Sequence, residues 1–180
     1  MKFFLPLIAI CFLLEGCMFW GPEDRGKRTL GTRIDDRRTE SLATKNIRKA
    51  HPELENAHFN VTSFNGVVLI TGQVPSEEAK EIAGETAGSL RNVKTVHNEL
   101  KIAGPTSMVA RTNDNWLTTK VKSVMAFSDQ ADAGRIKVVT EDGVVYLMGL
   151  VTRGEAEAAV KLTRDIYGVQ KIVKVFEYIN

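Results

Sequence analysis

The sequence predicts an α+β protein made of two tandem copies of one small αββαβ unit, each a two-layer sandwich, behind an export signal and a flexible tether. Three observations lead there. Asn65-Gly66-Val67-Val68-Leu69-Ile70-Thr71-Gly72-Gln73-Val74 lines up without a gap on Asp142-Gly143-Val144-Val145-Tyr146-Leu147-Met148-Gly149-Leu150-Val151, an offset of 77 residues from Gly66 to Gly143. Each copy centres on an Asn-Gly or Asp-Gly dipeptide between β-rich runs, the strongest short hairpin signal because both turn positions require positive φ. Apolar residues at helical spacing precede each hairpin, and an Ala-rich amphipathic stretch follows it.

The elements follow in chain order. Met1-Lys2 is a positive end, Phe3 to Leu14 an apolar run of about 12 residues, and Gly16 a small residue before Cys17, which is the grammar of a secretory signal too short to span hydrocarbon comfortably. Leu14-Glu15-Gly16-Cys17 resembles the lipobox of bacterial lipoproteins, with Glu15 where a small residue is usual. That resemblance implies cleavage after residue 16 and acylation of Cys17. Several acyl chains anchor stably where one does not. Met18, not being Asp, by the same resemblance permits delivery to the outer membrane. Residues 17–38 are rich in Gly, Arg and Asp without apolar periodicity and read as a lipidated N-terminus and tether. About 20 such residues could reach some 70 Å.

The first copy is expected over residues 39–102. Leu42 and Ile47 mark its first helix, and Ser76-Glu77-Glu78-Ala79 opens a second that ends near Arg91 before a last strand from Val93 to Ile102. Residues 103–113, containing Ala103-Gly104-Pro105-Thr106-Ser107, form the joint. The second copy, 114–180, begins with Asp114 as N-cap and carries Leu117, Val121, Val124 and Met125 on one helical face. Arg153-Gly154-Glu155-Ala156 opens its second helix, and Val169 to Ile179 its last strand. Three strands with two helices cover one sheet face, hence two layers. Units of roughly 65 residues lie near the lower limit for independent folding.

Composition narrows the chemistry. A formal charge of +2 with 26% charged residues indicates neither nucleic-acid binding nor a disordered acidic tail. With Cys11 lost in the signal, Cys17 can form neither an internal disulfide nor a cysteine zinc site. His51, His58 and His97 have no partner at i,i+4, so no metal is expected, and no cofactor. No Gly-x-Ser-x-Gly, His-Glu-x-x-His or Walker loop occurs, and Asp35-Asp36 fall in the tether where nothing would hold them as an acid/base pair, so catalysis is not expected. Gly84 and Gly88 lie inside a helical stretch, where close approach to the sheet is the simpler reading than an interaction groove.

The αββαβ order, the hairpin glycine and the second glycine six residues later resemble the BON domain, a module of bacterial envelope proteins, over about residues 39–180. Gly31-Thr32-Arg33-Ile34-Asp35-Asp36, Asn115-Trp116-Leu117-Thr118-Thr119-Lys120-Val121 and Leu147-Met148-Gly149-Leu150-Val151-Thr152 are similar to the dual-BON outer-membrane lipoproteins of proteobacteria. The resemblance implies a lipid-anchored factor on the periplasmic face of the outer membrane that supports envelope integrity. It further implies binding of anionic phospholipid, presence at division sites, a link to the outer-membrane protein assembly machinery, and no catalysis.

In a duplicated chain, function is expected where one copy has what the other lacks. In the first helix of copy two, Trp116, Lys120 and Phe127 share a stripe beside Leu117, while Leu42 stands at the position of Trp116 in copy one. Arg111, Lys120 and Lys122 outnumber Asp114 there. Taken alone, the stripe fits core or inter-domain packing as well as it fits a headgroup layer in which aromatic rings and lysines meet anionic lipid. The resemblance, which places the lipid contact on this helix around a matching tryptophan, favours the second. The phospholipid-binding set is then Trp116, Leu117, Lys120, Lys122 and Phe127, of which Phe127 rests on the helical wheel alone. The competing reading is a protein-interaction adaptor for outer-membrane assembly or cell-wall remodelling machinery that uses hairpin edges or the cleft between copies.

Overall fold

The computed structural model describes residues 26–104, 108–129 and 131–179. The export signal, Cys17 and residues 18–25 lie outside them. The first unit comprises α1 (Leu30–Ala50), α2 (Pro52–Glu55), β1 (His58–Phe64), β2 (Val67–Val74), α3 (Glu77–Gly88) and β3 (Thr95–Ile102). The second comprises α4 (Met108–Ala126), β4 (Ile136–Glu141), β5 (Val144–Val151), α5 (Arg153–Arg164) and β6 (Lys171–Tyr178). Each is αββαβ as expected, with the short α2 added in the first, where His51 caps it and Leu54 is fully buried. The two sheets have orders β1-β2-β3 and β4-β5-β6. In each, the first pair is an antiparallel hairpin, and the last strand returns parallel to the central one after a crossover helix.

Asn65 and Gly66 have φ of 54° and 79°, Asp142 and Gly143 of 50° and 71°, the two-residue turn that their dipeptides demand. The second glycine of each copy sits opposite the start of the edge strand, Gly72 facing Phe59 and Gly149 facing Ile136. A Cβ there would lie 2.3 Å from the His58 carbonyl oxygen at Gly72, and 2.6 Å from that of Arg135 at Gly149. Close backbone approach is what the repeated glycine permits. Gly84 likewise faces Asn98 of β3, whose Nδ2 would be 2.8 Å from an added Cβ, in line with close helix–sheet approach.

Two expectations are corrected. The stretch read as tether is helical from Leu30, capped by the Thr29 hydroxyl, which accepts from Thr32 N at 3.1 Å. Its buried face is Asp36, Thr39, Ala43 and Ile47, correctly spaced but too polar to show as apolar periodicity. Asp36 is therefore no solvated tether residue. Its carboxylate accepts from Asn65 N (2.9 Å), Gly66 N (3.1 Å), Ser63 Oγ (2.8 Å) and Arg28 Nη1 (2.6 Å). Burial pushes its pKa up, but these donors outweigh that and hold it below the ordinary 3.8. Asp114 is no N-cap either. It lies inside α4, which starts at Met108, and accepts from Asp142 N at 2.7 Å and Gly143 N at 2.9 Å. The duplication thus repeats one device, an aspartate on the first helix that clasps the hairpin turn.

The helix-facing sides of the sheets hold two separate cores, Ile47, Leu54, Val68 and Ile70 in one, Leu117, Val121, Val145 and Leu147 in the other. The opposite sides pack on each other. Phe64 and Leu69 of the first sheet join Tyr146, Met148, Leu150 and Val175 of the second in a third apolar cluster. Around it, Asn65 Nδ2 donates to Glu177 (2.7 Å), Gln73 Nε2 to Glu141 (2.8 Å), Lys101 Nζ to Asp142 (2.8 Å) and Lys137 Nζ to Glu40 (2.7 Å). Burial there, with Glu99, Glu141 and Asp142 adding to it, raises the Tyr146 hydroxyl to about 12. The two sandwiches are therefore stacked as four layers, helices outside and sheets within.

Candidate membrane-facing site

The helix α4 is sorted by its spacing. Leu117, Val121 and Met125 are buried against the second core, and Val124 packs beside them. The neighbouring stripe is open: Trp116 is 49% exposed and Phe127, continuing the helix through its N–H to the Ser123 carbonyl at 3.2 Å, is 92% exposed. Lys120 Nζ lies 4.6 Å from the centroid of the Trp116 ring, so cation and aromatic face form one exposed unit. Lys122 is also exposed, on the flank of the helix rather than on the tryptophan stripe.

The structure places Trp116, Lys120 and Phe127 on one stripe, turns Lys122 to another exposed face of the helix, and removes Leu117. That side chain is fully buried, and an added Cβ at Gly168 would be 3.2 Å from its Cδ2. At 100° from Trp116 on the wheel, Leu117 belongs to the core face. The same contact reveals a residue that sequence reasoning missed. It sets the loop after α5 against the N-terminal half of α4, and Tyr167 of that loop is 90% exposed. The signal was an aromatic beside Gly168 where copy one, aligned through Val93 and Val169, has Arg91.

The contrast with the first unit changes register. Matching Asp36 to Asp114 places Arg38, not Leu42, opposite Trp116, and Lys49 opposite Phe127. Arg38 and Lys49 are exposed. The first helix of unit one exposes the aliphatics Leu30, Ile34 and Leu42 but no aromatic. The stripe on α4 is thus peculiar to unit two.

No described helix is long and apolar enough to cross a membrane, and among the described residues no group of three or more His, Cys, Asp or Glu side chains is placed to hold a metal. Of the histidines, His51 Nδ1 is occupied in accepting from Glu53 N at 3.3 Å.

The chain is similar to the outer membrane lipoprotein DolP of Haemophilus influenzae, 38% identical over 153 residues that cover 85% of this chain and 79% of the relative. It is similar to the 21 kDa hemolysin of Actinobacillus pleuropneumoniae, 34% identical with the same 85% and 79% coverage. The osmotically-inducible protein Y of Escherichia coli is 25% identical over 83% of this chain and 75% of that one. The BON domain model matches twice, at residues 35–104 and 113–180, each match beginning within the first helix of one αββαβ unit just before its clasping aspartate and covering the rest of that unit. The chain therefore belongs to the BON-domain family and carries two BON domains in tandem.

Proposed function

We propose that this chain is an outer-membrane lipoprotein, anchored through acylated Cys17 on the periplasmic face, whose second BON domain binds anionic phospholipid and thereby supports envelope integrity at sites of division. The observation that carries the reading is the exposed stripe of Trp116, Lys120 and Phe127 on α4, where the first domain has Arg38, Leu42 and Lys49 and no aromatic. Half-exposed tryptophan and fully exposed phenylalanine suit the headgroup layer, where apolar burial and attraction to anionic lipid add. The relationship to an outer membrane lipoprotein and the lipobox-like Leu14-Glu15-Gly16-Cys17 support the anchor and its location.

Flotation with phosphatidylglycerol and phosphatidylcholine vesicles tests the lipid site on the two-domain unit, residues 26–180, with unfolding monitored alongside. Lys120→Glu is expected to weaken binding to phosphatidylglycerol mainly at low salt, because its contribution is screened. Trp116→Glu is expected to weaken it at every salt concentration, because apolar burial is not screened. A folded Trp116→Glu protein that floats like the parent would place the lipid site elsewhere. For the anchor, Cys17→Ser is expected to abolish outer-membrane fractionation, and unchanged fractionation would refute acylation there.

A further inference from the structure

The seam between the second helix and the last strand differs between the two domains. In the first domain it is closed: Asn98 Nδ2 donates to the Lys80 carbonyl at 2.7 Å and lies over Gly84, with Ala83 and Ala87 alongside. In the second domain the matching seam, between α5 and β6, is a groove. One cavity of about 510 Å³ runs from Arg153 to Tyr178, and a second of about 370 Å³ continues it to Lys171, the two sharing Val160, Arg164 and Lys174. Arg153, Lys161, Arg164, Lys171 and Lys174 line it against the single carboxylate of Glu157. At their positions, with the helices matched through their caps Ser76 and Thr152, the first domain has Glu77, Glu85, Gly88, Thr95 and Asn98.

None of Lys161, Arg164, Lys171 and Lys174 is ion-paired among the described residues, whereas Lys101 and Lys137 meet carboxylates across the domain interface. Arg153 lies 5.3 Å over the ring of Tyr178, which is 47% exposed and forms part of an apolar floor with Val160. The strand that bounds the groove is an edge: β6 is bonded to β5 alone. Lysines on an edge strand by themselves would only guard it against unwanted pairing. That account leaves the three cations supplied by α5 unexplained.

We propose that this groove is a docking site for an acidic, extended segment of a partner protein, which lies along α5 and pairs its backbone with the open edge of β6. The number and spacing of the charges favour a peptide. From Arg153 to Arg164 the helix runs roughly 17 Å, so one phosphate headgroup would meet one or two of the five cations, while glutamates or aspartates along a strand reach them in series. The free N–H and C=O groups of β6 supply affinity that a lipid cannot use, and alternate apolar side chains of the segment fit Val160 and Tyr178. Charge complementarity sets the sign of the partner. The site is separate from the tryptophan stripe and stands whether or not α4 meets lipid.

The test titrates the full chain, in neutral detergent, with a short capped peptide alternating glutamate and valine and with its lysine–valine counterpart. Backbone amide resonances and their exchange with solvent are followed. The acidic peptide is expected to shift α5 and β6 and to slow exchange along Lys171–Tyr178, and the basic peptide to do neither. Lys174→Glu with Arg164→Glu is expected to weaken the acidic peptide at least about tenfold and leave flotation with phosphatidylglycerol vesicles unchanged. Should that pair disturb folding, Lys174→Gln with Arg164→Gln replaces it, and Lys80→Glu in the first domain is the control expected to change nothing. Equal binding of the two peptides, or shifts confined to other elements, would overturn the proposal. So would loss of vesicle binding with peptide binding retained in the charge-altered protein, which would make the groove part of a lipid surface.

Discussion

A single buried carboxylate organises each domain. Asp36 and Asp114 reach forward over 30 and 29 residues to accept the N–H of Gly66 and Gly143, holding a turn that must keep two residues at positive φ. Charge-assisted hydrogen bonds of this kind contribute about 1.5–3 kcal/mol each, so Asp36→Asn is expected to destabilise the first domain by about 2–3 kcal/mol at pH 7. Because the folded pKa of Asp36 lies below 3.8, its contribution is fully present above that value and is lost as pH falls through the folded one. Urea unfolding of parent and variant is therefore expected to show a wide gap at pH 7 that narrows only as pH falls below the ordinary 3.8. A gap independent of pH would separate the carboxylate from this role. Neither aspartate could be placed from its own neighbourhood: Asp36 read as tether and Asp114 as a cap because the partner of each is a turn formed some thirty residues later. Only their near-equal distance from the two hairpin glycines, 30 and 29 residues, betrays them, and that appears once the copies are laid side by side.

At the scale of one element, α4 shows how far a helical wheel goes. Its spacing separated Leu117, Val121 and Met125 from Trp116, Lys120 and Phe127, and the burial follows that division. Including Leu117 in the lipid-facing set ignored the wheel in favour of adjacency to Trp116. Truncating the two residues should have opposite signatures. Leu117→Ala is expected to cost about 3 kcal/mol of stability, the loss of a buried side chain and the cavity it leaves. Phe127→Ser removes a side chain that touches mainly solvent and is expected to leave stability within about 0.5 kcal/mol. Withdrawing its ring from the headgroup layer should forfeit about 1.5–3 kcal/mol of apolar burial, read as a roughly tenfold or greater drop in partition to phosphatidylglycerol vesicles. Unaltered partition would exclude Phe127 from the surface. Tyr167 lay beyond the wheel's reach because it sits on a loop, which the packing of Ile166 and Gly168 by Leu117 brings to the helix.

For the whole molecule, the strands carried a message that the two-layer reading left unused. Val144 to Val151 is apolar on both parities except at Gly149, and Val67 to Ile70 likewise, which is the pattern of strands covered on two faces. Odd residues of β5 such as Val145 and Leu147 meet the helices, even ones such as Tyr146 and Met148 meet the other domain. Which surface covers the second face is set by the partner sheet, and no local pattern names it. Leu69→Glu would bury a charge in that shared cluster and is expected to cost about 3 kcal/mol or more. It should also split one cooperative thermal transition into two, measured by calorimetry. A single transition at the parental temperature would mean that the stacked sheets do not couple the domains.

The buried Gly26 gives the stack a further meaning. An added Cβ there would lie 2.5 Å from Cδ of Arg135, so the chain entering domain one is seated against domain two, the domain that bears α4. If Cys17 carries the anchor, the nine residues 17–25 set an upper reach of roughly 30 Å, against the 70 Å of a full tether. Four layers at roughly 10 Å per step span a comparable distance, so an acylated chain would have little slack and few orientations. A leash of that reach would hold α4 at an effective concentration of about the millimolar range near the bilayer. Contacts too weak to retain a free domain would then suffice to keep this one lying on the surface, and they would remain easy to displace.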